Sequence, residues 1–286
     1  LDSTNIIQPL VSVITNIGYD HMQFLGNTLP EIAGEKAGII KGNTPVIIGE
    51  RSDETDAVFN KKAMELHAPI EFAEDAIEVK IIEKDWKYQL LNIEQAEKVI
   101  AAEVKFPLLG DYQIKNLKTA IGAVLQLQKI ASNPWNIDEN SIREGLEKVI
   151  QQTYFIGRWM VQSTEPIIIF DSAHNEHGLK PVCNQIQLIE HKQLHIVFGT
   201  VSDKDLEKLK PLLPVNAQYY LCAADIPRAM PVEQLSLFFK ESDLFHSNYA
   251  SVLEAFEAAK KNLEPDDLLL VVGSIFILGE LLEKAS

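Results

Sequence analysis

An apolar run followed by a capped helix, near the start of the chain, most constrains the fold. Residues 11–17 are mostly apolar and rich in β-branched side chains, and they lead into Gly18. Such a run is typical of a strand buried on both faces of a parallel sheet. Thr28 and Glu31 have the spacing of a capping box, which predicts a helix from there to about Ile40. We therefore expect an α/β protein.

The same alternation continues along the chain. Residues 44–50 read as a second parallel strand, and residues 52–66 as a helix. Shorter alternating runs over residues 69–109 predict antiparallel strands at the sheet edge. Two helices are then expected, over residues 113–130 and 138–150.

A change of pattern near residues 151–156 predicts a domain boundary, with domains at 1–153 and 154–286. Apolar runs that mark strands follow at residues 159–163, 167–170, 194–198, 218–222 and 268–272. Helical segments separate several of these runs. This rhythm predicts a second, mainly parallel, Rossmann-like sheet.

Lys36 is the first candidate functional residue. It follows Ile32 by four positions, so a helix would place its side chain on the same apolar face. A desolvated lysine loses proton affinity, and a neutral amine can add carbon dioxide to become an anionic carbamate. The alternative is a lysine at the edge of an apolar stripe whose amine reaches water. His21, just beyond the first strand, is by itself an equally weak candidate.

A second group of candidates follows the strand at residues 167–170. The sequence there reads Asp-Ser-Ala-His-Asn from Asp171 to Asn175, and a helix is expected from about Gly178. A carboxylate and an imidazole at the carboxyl end of a parallel strand are placed where nucleotides bind in such sheets. The alternative is an aspartate that caps a helix and a histidine on the surface.

The charge and cysteine content narrow the class of protein. The chain has 26 basic and 41 acidic residues, a net charge of −15, which argues against nucleic acid or an anionic membrane as partner. Cys183 and Cys222 form no metal-binding or disulfide pattern, as fits a reducing cytoplasm. No apolar run reaches the roughly 18 residues of a membrane span.

Residues 15–41 resemble a known signature. They contain T-N-I-G-x-D-H, then L-G-x-T, then E-K-A-G-I-I-K. This order is similar to the central-domain signature of folylpolyglutamate synthases and dihydrofolate synthases, which belong to the Mur ligase superfamily. The D-x-A-H-N of residues 171–175 resembles the signature of the C-terminal domain of the same ligases. The resemblance implies part of a P-loop-type central domain, with a parallel sheet and antiparallel edge strands, followed by a Rossmann-like ligase domain.

The resemblance also implies roles for particular residues. His21 and a carbamylated Lys36 would bind Mg²⁺, and Asn116 would approach the adenine of ATP. Arg158 would reach the phosphates, Asp171 the ribose, and His174 the nucleotide. Lys36, Arg158 and His174 would be catalytic. Contacts to the other substrates are expected from Asp2, Ser3, Lys204 and Ser274.

The implied reaction is ATP-dependent addition of L-glutamate to dihydropteroate or folates through an acyl phosphate, with ATP and Mg²⁺ as cofactors. The expected partners are small molecules, without nucleic acid or membrane, and the expected state is a cytoplasmic monomer. Two alternatives stay open. One is a ligase that adds amino acids to peptidoglycan precursors, and the other is a non-catalytic nucleotide-binding protein.

The chain contains no Gly-Lys dipeptide, and therefore no GxxxxGK[ST] loop to hold the β- and γ-phosphates. The chain also begins at Leu1, so it is expected to be the C-terminal part of a longer ligase. We predict that this 286-residue polypeptide alone turns over no ATP. Phosphate release with glutamate and a folate present would measure this, and ATP-dependent ligation would contradict it.

Overall fold

The computed structural model describes residues 6–19, 26–130 and 135–284. The chain divides into two compact units, Leu1–Pro107 with Asp111–Gln152, and Leu108–Gly110 with Thr153–Ser286. Within the described residues, no helix is both long enough and apolar enough to cross a membrane.

The first unit contains a three-stranded parallel sheet. Its strands, in spatial and chain order, are β1 (Ser12–Ile14), β2 (Val46–Ile48) and β3 (Ile70–Phe72). Helices α1 (Leu29–Lys36), α2 (Asp56–Glu65) and the short α3 (Ala73–Ala76) connect or follow them. The predicted strand–helix alternation is confirmed. The ladder covers only three residues of β1, fewer than the apolar run predicts.

Helix α1 begins where its sequence predicts. The Thr28 hydroxyl accepts a hydrogen bond from the Glu31 amide, and the Glu31 carboxylate accepts one from the Thr28 amide. Two amides that a helix start leaves without partners are thereby satisfied. The α-helix ends at Lys36, earlier than expected, and a 3₁₀ turn (Ala37–Ile39) completes it. A core of apolar side chains from α1, α2 and the sheet includes Ile14, Ala33, Ile40, Val46, Ile48 and Phe59.

Three antiparallel strands form a sheet of their own in the first unit. They are β4 (Glu78–Lys84), β5 (Gln89–Gln95) and β6 (Lys98–Phe106), in that order. The predicted antiparallel pairing is confirmed, but its placement at the edge of the parallel sheet is wrong. Residues 70–72 belong instead to β3, which pairs parallel with β2. Helices α4 (Tyr112–Gln128), α5 (Glu139–Glu147) and α6 (Val149–Thr153) follow.

The second unit is built on a six-stranded sheet in the order β11-β10-β9-β12-β8-β7. Its strands are β7 (Met160–Thr164), β8 (Ile167–Phe170), β9 (Leu194–Phe198), β10 (Ala217–Leu221), β11 (His246–Asn248) and β12 (Leu268–Val272). Only β7 is antiparallel to its neighbour. The predicted mainly parallel sheet is therefore confirmed, with β11 as an additional edge strand.

Five helices accompany this sheet: α7 (Glu176–Gln187), α8 (Leu206–Leu209), α9 (Val232–Glu241), α10 (Val252–Asn262) and α11 (Ile275–Lys284). Strands β9 and β12 are buried along their whole length. Side chains from α10 and α11 pack with β8 and β12 in one continuous core, including Ile168, Ala255, Leu269 and Ile277.

A buried polar network lies within this apolar unit. The Nδ1 atom of His195 is 3.0 Å from the Tyr220 hydroxyl, which also accepts a hydrogen bond from the Asn262 amide. The Nε2 atom of His195 is 3.4 Å from an Asp267 oxygen, so their interaction is mainly electrostatic. Burial lowers the pKa of His195, and the nearby Asp267 only partly offsets this. The folded unit therefore favours the neutral imidazole.

The sign of this pKa shift predicts acid sensitivity. The histidine of the unfolded chain binds protons more tightly than the buried one. Burial of the neutral imidazole therefore leaves the fold fully stable above pH 6.5, the ordinary pKa of histidine, and stability is lost as the pH falls below that value. We expect His195→Gln to flatten the fall in unfolding free energy between about pH 7.5 and pH 5.5, measured by urea titration. His67→Asn, at an exposed position, is the control and should leave the slope unchanged. Equal slopes for His195→Gln and the unaltered chain would contradict this role.

Candidate functional site

Several predicted site residues of the second unit follow parallel strands. Asp171 comes directly after β8, Lys204 lies in the loop after β9, and Ser274 comes two residues after β12. Because β8, β9 and β12 are parallel neighbours, these residues lie at the same edge of the sheet. Ligands bind at this carboxyl edge in open α/β sheets.

The Asp171 carboxylate connects two loops at this edge. Oδ2 accepts a hydrogen bond from the Trp159 amide and Oδ1 accepts one from the Ala173 amide, both at 2.8 Å. The Ser172 amide donates to the Gly157 carbonyl at 2.9 Å. Asp171 is only 1% exposed. The carboxylate therefore fixes the turn around Arg158, while its expected contact with a ribose stays a prediction.

Arg158 lies inside a tight turn. Gly157 and Trp159, on either side of it, have φ angles of +72° and +48°. Left-handed backbone is uncommon for tryptophan, and the Asp171 contact to its amide helps to stabilise it. The Arg158 side chain is half-buried, and its Nη1 atom donates to the Gly157 carbonyl. A guanidinium held at a sheet edge in this way can bind an anion.

His174 has a defined tautomer. Its Nδ1 atom is 3.0 Å from the Ser172 carbonyl oxygen, which can only accept, so the proton resides on Nδ1. Nε2 is then the nitrogen that can accept a hydrogen bond or a proton. The next residue, Asn175, caps α7 by accepting from the Gly178 amide at 2.8 Å. The alternative in which Asp171 caps this helix is therefore wrong.

The ends of β9 and β12 approach each other closely. A β-carbon at Gly273 would lie 2.4 Å from the Gly199 carbonyl oxygen, and the φ angle of Gly273 is +114°, so only glycine fits. The next residue, Ser274, is buried and accepts a hydrogen bond from the Phe276 amide in the first turn of α11. Lys204 is half-buried in the loop after β9. Neither residue's substrate role is tested by these contacts.

The orientation of Lys36 differs from the prediction. Ile32, Ala33, Ala37 and Ile40 are buried, but Lys36 is exposed. The α-helix ends at Lys36, so the flexible lysine side chain can leave the apolar face and keep its charged amine in water. The prediction that Lys36 points into the apolar face is therefore wrong, and its carbamylation stays a prediction without support from burial.

The other candidates in the first unit are less constrained. Asn116 is exposed on α4 and donates a hydrogen bond to the buried Gln113 side chain at 2.9 Å. Its contact with adenine stays a prediction. His21, Asp2 and Ser3 lie outside the described residues.

The metal prediction receives no support from the described residues. Among them, no group of three or more histidine, cysteine, aspartate or glutamate side chains could hold an ion. The described residues alone therefore do not form a complete metal centre.

Two polar residues at the edge of the first sheet, Glu50 and Asn16, were not predicted. Glu50 follows β2 by two positions, and its carboxylate accepts hydrogen bonds from Asn16 at 3.2 Å and from Lys115 at 2.5 Å. Asn16 follows β1 in the same way. Inspection of the residues just after each predicted strand would have found both Glu50 and Asn16.

Comparisons with known families cover both units. Residues 2–124 match the Mur ligase middle domain, and residues 157–275 match the Mur ligase, glutamate ligase domain. Together with the two α/β sheets, these matches define the chain as a member of the Mur ligase superfamily.

The chain is also similar to individual proteins of this superfamily. The chain is 28% identical to the dihydrofolate synthase/folylpolyglutamate synthases of Bacillus subtilis (strain 168) and Escherichia coli (strain K12), in each case over 99% of its own length. It covers 64% and 62% of those two proteins. A structure described as E. coli FolC in complex with DHPP and ADP matches all of this chain with a TM-score of 0.81 and 27% identity, and the chain covers 63% of it. The chain therefore resembles the folylpolyglutamate synthase and dihydrofolate synthase branch of this superfamily.

The contacts of Asp171 predict the effect of its replacement. Asp171→Asn places an amide donor against one of two backbone N–H groups, so one hydrogen bond is lost and two donors face each other. We expect a loss of about 1–3 kcal/mol in unfolding free energy, measured by urea titration. The control is Asp203→Asn, an exposed carboxylate in the loop after β9, which should change stability by less than about 0.5 kcal/mol. Equal stability of the two variants would contradict the positioning role of Asp171.

Proposed function

We propose that the protein catalyses ATP-dependent addition of L-glutamate to dihydropteroate or folates, through an acyl phosphate. Membership of the Mur ligase superfamily supports ATP-dependent ligation as the class of reaction. The observation that carries the proposal is that the Asp171 carboxylate binds the amides of Trp159 and Ala173, the neighbours of Arg158 and His174 in the chain, at the edge where nucleotides bind in such sheets. The domain limits that we propose are 1–153 and 154–286.

The net charge of the chain explains why Arg158 and His174 matter for the binding of anionic substrates. With a net charge of −15, the protein repels the phosphates of ATP and the carboxylates of glutamate and folate at long range. Binding therefore depends on local donors. Arg158 presents a planar, permanently charged fork, which suits phosphate oxygens. His174 presents Nε2, because the Ser172 carbonyl holds its Nδ1 proton.

The reaction requires positioning and charge stabilisation more than covalent participation by the protein. A substrate carboxylate attacks the γ-phosphate of ATP to give an acyl phosphate and ADP, and the amino group of glutamate then displaces phosphate. In our proposal Arg158 and His174 bind the nucleotide. Lys204 and Ser274 bind the incoming amino acid.

We also propose ATP and Mg²⁺ as cofactors, since structures of relatives are described as complexes with ADP or with AMPPNP and manganese. The metal would neutralise phosphate charge when bound. His21, Lys36, Asn116, Asp2 and Ser3 stay as predicted contacts for the metal, adenine and substrate. A cytoplasmic monomer without nucleic acid or membrane partners completes the proposal.

An assay with the complete gene product tests this function. We expect ATP-dependent attachment of glutamate to dihydropteroate or a folate, detected by mass spectrometry, and none to a nucleotide-linked muramyl precursor. Arg158→Gln should lower kcat/KM for ATP roughly ten- to hundredfold, as expected for loss of one to two charged hydrogen bonds. Arg143→Gln, which removes only an exposed pair with Glu139, is the control.

Two results would contradict the proposal. Ligation to the muramyl precursor alone would identify a peptidoglycan ligase. ATP binding by calorimetry without ligation of any acceptor would identify a non-catalytic nucleotide-binding protein.

A further inference from the structure

Arg228 lies in the loop that follows β10, and its backbone is held firmly. Its carbonyl accepts a hydrogen bond from the Ser202 amide at 2.9 Å, and the next carbonyl, of Ala229, accepts from the Ser202 hydroxyl at 3.1 Å. Ala229 also forms a β-bridge with Val201. The loop after β10 is therefore attached to the loop after β9, which contains Lys204.

One more contact attaches this loop to the strand ends. The Met230 amide donates to the Thr200 carbonyl at 2.9 Å. Phe198 and Val272 are paired at the ends of the neighbouring strands β9 and β12. Thr200 and Ser274 each lie two residues beyond these strand ends. The Thr200 hydroxyl is buried and has no hydrogen-bond partner among the described residues. The polar groups at this edge are thus incompletely satisfied.

The guanidinium of Arg228 points to the first turn of α11. Its Cζ atom lies 4.7 Å from the centre of the Phe276 ring, within the range of a cation–π contact. The Phe276 amide donates to the Ser274 hydroxyl, so ring and hydroxyl belong to the same turn. Stacking on the ring restricts the side chain but leaves its N–H donors available.

The described part of the chain provides no ion-pair partner for Arg228. The side chain is exposed, and its guanidinium contacts the Phe276 ring. The chain has 41 acidic and 26 basic residues, so protein carboxylates are abundant, yet none of the described ones pairs with this guanidinium. A restricted arginine without a protein anion, at the ligand edge of a sheet, is suited to bind an anion from solution.

We propose that Arg228 binds a carboxylate of the incoming amino acid, in the same turn as Ser274. This inference rests on the proposed function, and it adds a residue that the sequence did not suggest. The planar fork of arginine matches a carboxylate in a bidentate geometry, and the Phe276 ring fixes the orientation of that fork. Arg228 would thereby contribute to the binding and orientation of L-glutamate.

Steady-state kinetics of the complete gene product test this role. We expect Arg228→Gln to raise KM for L-glutamate by at least about tenfold and to change KM for ATP by less than about twofold. Arg228→Lys, which keeps the charge but not the fork, should have an intermediate effect. Arg143→Gln is the matched control, and circular dichroism with a urea titration checks that each variant folds.

Two glutamate analogues determine which carboxylate is bound. L-glutamine lacks the γ-carboxylate and L-isoglutamine lacks the α-carboxylate. The unaltered protein should discriminate against both, and Arg228→Gln should lose discrimination against one of them. An unchanged KM for glutamate and unchanged discrimination would overturn the inference while ligation continues. Absence of ligation by the unaltered protein would instead contradict the proposed function.

Discussion

The carboxylate of Asp171 is the interaction on which the ligand edge of the second unit depends. A charge that is 1% exposed is costly to bury unless it is well solvated by the protein. Here backbone amides before β7 and after β8 supply that solvation. The two loops therefore occupy defined positions only together. Arg158 and His174 inherit their positions from this contact, because each lies within three residues of a group that the carboxylate binds.

The glycines at the same edge have a complementary effect. Gly273 and Gly199 allow the ends of β12 and β9 to approach more closely than any side chain would permit. Ser274 and Thr200 are thus brought to neighbouring positions immediately beyond them. Hydrogen bonds to the Asp171 carboxylate hold the loops beside β8. After β9 and β12, the two glycines permit the close approach of the backbone. Both kinds of constraint act on the backbone at this edge of the sheet.

Local sequence patterns predicted most of the fold, and isolated side-chain orientations were predicted less well. The capping box of Thr28 and Glu31 and the limits of β9 and β12 follow from short-range physics that a sequence displays directly. Strand β11 was not predicted, because His-Ser-Asn carries no apolar or β-branched signal and pairing with β10 alone makes it a strand. Lys36 shows the limit of helical periodicity, which specifies a direction for the β-carbon but not for a flexible amine.

The four arginines of the chain separate into two groups, which sequence alone does not reveal. Arg51 lies against Asp56 and Asp75 and over the Phe72 ring, and Arg143 pairs with Glu139. Arg158 and Arg228 contact a carbonyl and a ring instead, and no carboxylate among the described residues pairs with either. A protein carboxylate beside either guanidinium would compete for the donors that an anionic substrate needs in our proposal. The arginines of the first group are thus paired within the protein, whereas the donors of the second group are open to the anionic ligands that we propose.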